Sequence, residues 1–205
     1  MKRLITCLVL AAALSSAKTL TLVSAGPAND GTYDTGFYGL TVANPPVNPQ
    51  PILGLCLSAA VEISAGYSWQ ATLLSLLNYE TVAGLTPQQG DELAYLYTQI
   101  ATNPEPAMSD AVWTIAGVPI NASSPDVLFW IGQAQANYLS IDPSIFQVWT
   151  PENSNGQIDL SVSQPFMVDA PDAPVPEPAT FALVVAGVVL IGLYRRHYVN
   201  APRRP

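Results

Sequence analysis

Residues 86–102 read TPQQGDELAYLYTQIAT, and this stretch shows most clearly how the centre of the chain folds. Thr86 suits a helix N-cap, Pro87 suits the first helical position, and Gln89 can return a hydrogen bond to the cap. The stretch therefore predicts a helix that runs to about Thr102. Its core face is marked by apolar residues at helical spacing: Leu93, Leu96, Tyr97 and Ile100.

Two further helices are predicted after this one. Ala107 to Ala116 carries apolar residues at helical spacing before Gly117, and Ser124-Pro125 repeats the cap-then-proline signal ahead of a helix that extends to about Leu139. Before the central helix, Trp69 to Asn78 fits helical spacing, although its residues would also pack in a sheet. We favour a helix there.

Strands are predicted on both sides of the helices. Short strands are expected between Gly26 and Thr41, and Ile52 to Leu57 is an apolar run typical of a buried strand. After Pro143, period-two patterns at 146–150 and 158–162 flank Asn153-Ser154-Asn155-Gly156 and predict a hairpin. Phe166 to Val168 is expected to form a last strand.

This order of elements predicts an α+β fold, with an antiparallel sheet or small β-sandwich that carries two to three helices. We expect an N-terminal signal helix and a C-terminal transmembrane helix in addition. The expected parts are a signal peptide (1–17), an exported acidic globular domain (18–169), a proline-rich linker (170–180), a transmembrane helix (181–194) and a basic cytoplasmic tail (195–205).

The N-terminus has the order of a secretory signal peptide. Met1-Lys2-Arg3 is basic, residues 4–14 are apolar, and Ser15-Ser16-Ala17 supplies small residues at the cleavage positions. Cleavage is therefore expected between Ala17 and Lys18.

The C-terminal region combines a rigid motif, an apolar run and a basic stop. Pro176 and Pro178 hold Glu177 in an extended, accessible segment, since proline fixes its own φ and restricts the residue before it. The run 181–194 is uncharged and would rise roughly 21 Å as a helix, short of a bilayer core of about 30 Å. Arg195 and Arg196 can snorkel to the headgroups, and by the positive-inside rule they stay in the cytoplasm.

These residues resemble the PEP-CTERM sorting signal of exported bacterial proteins. The sorting-motif residues are Pro176, Glu177 and Pro178, with Arg195 and Arg196 as the basic cluster. The resemblance implies export by the secretion machinery and cleavage near Pro-Glu-Pro by an exosortase, a membrane-embedded cysteine protease. The tail beyond the arginines is longer than in the compact form of the signal.

Charge is distributed very unevenly along the chain. Residues 18–175 contain fourteen acids against one base, Lys18, which gives a net charge of −13. Such a domain repels nucleic acid and anionic lipid, and it lacks a basic clamp for phosphate. We therefore expect no nucleic-acid partner.

The composition argues against catalysis. The single histidine, His197, follows the apolar run, so the exported part cannot build a Ser-His-Asp triad, a Cys-His pair or a His/Cys zinc site. Glycosidase chemistry needs only two carboxylates, but the candidates form no motif: Glu62, Glu80, Asp110 and Asp126. We expect neither an enzyme nor a cofactor or metal.

Cys56 is the only cysteine left after signal cleavage, and its apolar neighbours indicate a core thiol. The order of Leu55-Cys56, a later helix and Ala111-Val112-Trp113 is distantly similar to the Cys-Gln thioester domains of surface adhesins. In that family a glutamine four residues before the tryptophan bonds to the cysteine. Ser109 occupies that position here, so we expect no thioester.

Together these features predict a secreted or surface protein that exosortase sorts to the cell envelope or to an extracellular polysaccharide matrix. The membrane would hold it transiently through the C-terminal helix. The alternative is an adhesin-like or glycan/cation-binding module without catalysis.

Overall fold

The computed structural model describes residues 17–29, 31–42 and 51–169. The strands are β1 (Lys18–Ser24), β2 (Ala28–Asn29), β3 (Asp34–Thr35), β4 (Phe37–Val42), β5 (Ile52–Cys56), β6 (Ser68–Ser75), β7 (Phe146–Pro151) and β8 (Phe166–Asp169). The helices are α1 (Leu76–Ala83), α2 (Pro87–Thr102), α3 (Pro106–Ile115) and α4 (Pro125–Asn137), with short 3₁₀ helices at Tyr138–Ser140 and Pro143–Ile145. The expected signal helix, linker, transmembrane helix and tail lie outside the described residues, apart from Ala17.

Six strands form a closed antiparallel barrel in the order β1-β4-β5-β8-β7-β6. β1 closes it because both of its edges are paired: Leu20 lies opposite Val42 of β4 and opposite Trp69 of β6. The predicted antiparallel α+β class is confirmed. The predicted antiparallel sheet is closed into a barrel and is not a sandwich, because β1, a strand that was not predicted, joins the two ends of the sheet. The described part of the chain also has four α-helices instead of two to three.

All four α-helices lie in the connection between β6 and β7. These two strands pair directly, from Ala71 opposite Pro151 to Ser75 opposite Gln147. α1 contacts both strands, and α2 contacts α1, α3 and α4. The helices are therefore one insertion that folds back on the barrel.

Side chains explain where the first two helices begin. Ser75 Oγ accepts from Asn78 N at 3.3 Å and caps α1. The predicted capping box of α2 is confirmed: Thr86 Oγ1 accepts from Gln89 N at 3.3 Å, and Gln89 Oε1 accepts from Thr86 N at 2.9 Å. The helix favoured over Trp69 to Asn78 was wrong up to Ser75, because that stretch is β6 and pairs with β1 and β7.

The predicted hairpin after Pro143 is partly wrong. Its first strand is β7 and its turn is present, but both edges of β7 are occupied, since Val148 lies opposite Leu74 of β6 and Met167 of β8. Residues 158–162 therefore form no second strand, and their pairing is limited to an antiparallel bridge between Ile158 and Glu152, beside which Asp159 N donates to the Pro151 carbonyl oxygen at 3.0 Å. Asp159 Oδ1 instead accepts from Ser161 N and Oγ, at 3.0 and 2.6 Å, and holds this segment as a turn.

The core continues from the barrel interior to the helices. Phe166 lies against Tyr38 and Trp69, at ring-centroid distances of 5.6 and 5.8 Å. Outside the barrel, Tyr97 of α2 packs on Phe146 at 5.0 Å, and its hydroxyl accepts from Asp169 N at 3.1 Å. β8 is consequently buried on both faces.

Glu80 is a buried carboxyl group at the contact between α1 and α2. A Cβ atom at Gly90 would lie 1.8 Å from Glu80 Oε1, so the glycine is what makes room for it. Burial, and secondarily the charge of Asp91, raise the pKa of Glu80. Burial also raises the pKa of Asp91. The helix contact therefore favours protonated carboxyl groups.

We expect Glu80→Gln to raise the melting temperature at pH 7 and to flatten its dependence on pH. A carboxyl whose pKa is higher in the folded than in the unfolded state stabilises most at low pH, and that contribution is lost as the pH rises through the folded-state pKa. Thermal melts of the full chain from pH 4 to pH 8 measure this. Glu105→Gln, which removes a charge from an exposed site, is the control. A melting temperature of Glu80→Gln that stays below that of the unaltered chain at pH 7 would contradict the expectation.

Candidate functional site

A cavity of about 460 Å³ lies beside the barrel, where the loop before β3, the loop between β5 and β6, and α3 meet. We call it the aromatic cavity. Its lining includes three aromatic, two acidic and one amide side chain: Tyr33, Tyr38, Trp113, Asp34, Glu62 and Gln164.

Trp113 of α3 fixes the wall of the aromatic cavity. It is buried, and its Nε1 donates to the Cys56 carbonyl oxygen at 3.0 Å. Tyr33 packs edge-on against it with a centroid distance of 5.6 Å. The hydroxyl of Tyr38, another wall residue, donates to the Asp34 carbonyl oxygen. The aromatic wall is therefore tied to both the barrel and the helical insertion.

Behind this wall lies the thiol of Cys56. It donates to Ser58 O at 3.0 Å and to Gln164 Oε1 at 3.2 Å, and Gln164 Nε2 donates to the Val61 carbonyl oxygen. Burial raises the pKa of Cys56 to about 12. The predicted core thiol is confirmed, because the group is buried and stays protonated at neutral pH.

The sequence did not indicate Gln164 as a partner of Cys56. The two residues are 108 positions apart, and β8, which follows Gln164, brings them together by pairing with β5. Ser109, at the glutamine position of the thioester family, has another role: its Oγ accepts from Gly36 N at 3.0 Å. A carboxamide therefore does face the thiol, but from a different part of the chain.

We expect the intact protein to contain no internal thioester. Thiolate is the attacking form of cysteine, and a buried thiol with a raised pKa supplies very little of it. Both polar ends of the Gln164 amide are also hydrogen-bonded. Intact mass spectrometry with and without methylamine, with Cys56→Ala as control, measures this. A mass deficit of one ammonia that is absent from Cys56→Ala would contradict it.

A second cleft, of about 670 Å³, lies between the start of α3 and the start of α4. Asp110 and Asp126 both line it, as does Glu105. Asn121 Nδ2 donates to Asp110 Oδ2 at 2.9 Å, and Trp130 Nε1 donates to Glu105 Oε2 at 3.1 Å. Local side chains thus engage two of its carboxylates.

The four candidate carboxylates do not converge on one site. Asp110 and Asp126 share the second cleft, Glu62 lines the aromatic cavity, and Glu80 is buried between α1 and α2. Within residues 17–29, 31–42 and 51–169, no group of three or more His, Cys, Asp or Glu side chains is arranged to hold a metal ion.

All five expected sorting residues lie outside the described ranges: Pro176, Glu177, Pro178, Arg195 and Arg196. At the other end, Ala17 is exposed, and Lys18 begins β1 opposite Ala71. Among the helices that the structure describes, none has the length and hydropathy that a membrane crossing requires.

The described fold defines the class of this protein as an acidic antiparallel β-barrel with a helical insertion and an aromatic cavity. The particular assignment comes from the C-terminal region, where residues 174–197 match the PEP-CTERM protein-sorting motif. The chain is therefore an exported protein of the kind that exosortase sorts. Neither a curated protein nor a solved structure gives a significant match.

Proposed function

We propose that this protein is a non-catalytic surface protein that is delivered to the cell envelope and from there to the extracellular polysaccharide matrix. The single observation that carries the proposal is the sorting motif at residues 174–197. In this account the apolar segment 181–194 holds the chain in the membrane, and Arg195 and Arg196 keep its end in the cytoplasm. Exosortase then cuts near Glu177 and releases the barrel domain.

The charge of the exported part supports delivery to a matrix. A net charge of −13 over residues 18–175 keeps the domain away from anionic lipid and favours solubility once the anchor is removed. The start of β1 at Lys18 is consistent with signal cleavage after Ala17, because the new N-terminus would then lie at the start of a paired strand.

Cell fractionation in two matched strains, one with exosortase and one without, tests the proposal. We expect the protein in the matrix fraction of the first strain and in the membrane fraction of the second. The same distribution in both strains would exclude exosortase-dependent release. Recovery from the cytosol of both would exclude export as well.

The alternative function is an adhesin-like or glycan/cation-binding module. The aromatic cavity favours it, because binding sites for small molecules are commonly concave, partly apolar and furnished with a few polar groups. Sorting and binding are compatible, since the motif lies outside the barrel domain. We propose that binding, where it occurs, involves no bond cleavage, as the candidate carboxylates are dispersed over three places.

A further inference from the structure

We propose that the aromatic cavity binds a saccharide unit that carries no acidic group, either a neutral sugar or an amino sugar. This inference deepens the binding alternative above, and it does not depend on cleavage by exosortase. The aromatic cavity combines a fixed aromatic wall with exposed carboxylates. The domain that contains it carries a strongly negative net charge.

The size and rigidity of the cavity suit a small ring. Its volume of about 460 Å³ lies within the roughly 300–1,000 Å³ typical of small-molecule sites. The wall is held by contacts that already exist: Tyr33 packs against Trp113, and Trp113 donates to the carbonyl oxygen of Cys56. Because the wall is already ordered, binding does not have to offset the entropic cost of ordering these side chains.

The aromatic residues supply the apolar half of the recognition. A pyranose ring has a face of C–H groups that packs on an aromatic side chain, while its hydroxyls point sideways. Tyr33 is only partly buried and lines the cavity, so it is the residue positioned to meet that face. Tyrosine suits the role because it offers a broad apolar ring with one polar end.

The polar half comes from other residues of the same lining. Asp34 and Glu62 are exposed residues that line the cavity, and the hydroxyls of Thr32 and Ser64 lie on the same lining. A carboxylate accepts hydrogen bonds from sugar hydroxyls, and hydrogen bonds to a charged group are stronger than those between neutral groups. Carboxylates in the lining can also accept from a protonated amine.

Charge then selects among sugars. No lysine or arginine follows Lys18 until Arg195, so the exported part offers no cationic side chain near the cavity to pair with a uronic acid, a sulfate or a phosphate. The negative electrostatic potential of the domain repels these anionic ligands and attracts a protonated amine. An amino sugar should therefore bind more tightly than a neutral sugar, and its advantage should shrink as salt is added.

Calorimetry on the full chain tests the proposal, in a polyoxyethylene detergent that carries neither sugar nor charge. The probes are cellobiose, a glucosamine disaccharide and a galacturonic acid disaccharide. We expect the first two to bind, with the glucosamine disaccharide the tighter, and we expect no binding of the acidic one. Binding by the amine probe alone also supports the proposal and identifies an amino sugar as the type of sugar that the cavity takes.

Three variants assign binding to the cavity. Glu62→Gln should weaken binding of the glucosamine disaccharide about tenfold, as expected for loss of one hydrogen bond to a charged group. Asp126→Asn, which removes one charge from the second cleft, should change it less than about twofold because exposed charges far from the ligand are screened. Ala65→Trp, which fills the cavity from its exposed rim, should abolish binding while the melting temperature stays the same.

Four results would overturn the proposal: no binding of any probe, binding of the neutral disaccharide alone, equal binding of the acidic disaccharide, or a loss in Asp126→Asn as large as that in Glu62→Gln. Processing by exosortase is measured separately by fractionation. A failure of sugar binding would therefore leave the sorting proposal standing, and a failure of sorting would leave this one standing.

Discussion

Phe166→Ala is expected to destabilise the protein by about 3–5 kcal/mol, the usual cost of removing a buried aromatic side chain. Phe166 is 0 % exposed and lies in the barrel interior, where it contacts Tyr38 and Trp69. It also packs on Gly54 of the neighbouring strand, where an added Cβ would lie 3.1 Å from Phe166 Cβ. Truncation therefore leaves a void that three strands would have to fill.

The stability lost in Phe166→Ala corresponds to a melting temperature roughly 6–20 °C lower for a chain of this length. Thermal melts followed by near-UV circular dichroism measure it directly. Phe129→Ala is the matched control, because Phe129 is 55 % exposed on α4 and its truncation should cost less than about 0.5 kcal/mol. Equal melting temperatures for the two variants would mean that the barrel interior does not carry the stability of the domain.

Glu177→Ala is expected to abolish exosortase processing while leaving export and the barrel domain unchanged. Glu177 is the one charged residue of Pro-Glu-Pro, and it lies within the matched range 174–197. An enzyme that recognises this segment finds few other charged side chains to bind, because the apolar run after Pro-Glu-Pro contains no acid or base. The uncleaved variant should accumulate in the membrane fraction.

Asp172→Ala is the control for Glu177→Ala, since it removes one acid from the same proline-rich segment, outside the matched range. It should be processed as efficiently as the unaltered protein. Immunoblots of membrane and matrix fractions separate the outcomes. Release of Glu177→Ala into the matrix at the level of Asp172→Ala would show that exosortase does not recognise the glutamate.

Helices α2 and α4 were predictable because the signals for their first residues are local. The Thr86 capping box and the proline after Ser124 mark helix starts without reference to any other part of the chain, and the structure places α2 and α4 at those positions. The strand predicted at Ile52 to Leu57 was predictable for a similar reason, because a short run of apolar residues is itself a strand signal. β5 is buried from Gly54 to Cys56, whereas Leu53 is exposed.

The barrel was not predictable because its closure is a long-range event. β1 pairs with β4 and β6, and although Leu20 and Leu22 alternate with threonines as in a strand, these seven residues do not specify either partner. The same reason explains the errors at Trp69 to Ser75 and at 158–162. Whether an ambiguous apolar stretch becomes a strand depends on which edges are free, and that is decided by the rest of the sheet.

The candidate site was predictable only in its chemical character. The exported part has no histidine and no base except Lys18, which was visible in the sequence, and Glu62 was among the acids singled out. The contact of Cys56 with Gln164, and the meeting of Tyr33 with Trp113, depend on folding of distant segments. Aromatic residues in loops carry no mark that shows which of them will line a cavity.

The masses of the two ends of the mature protein test the central claim most directly. Intact-mass and peptide analysis of protein from the matrix of an exosortase-positive host should give an N-terminus at Lys18. The same analysis should give a C-terminus near Pro176-Glu177-Pro178, without Arg203-Arg204-Pro205. Protein from that host that retains both Met1 and Pro205 would contradict export and sorting together.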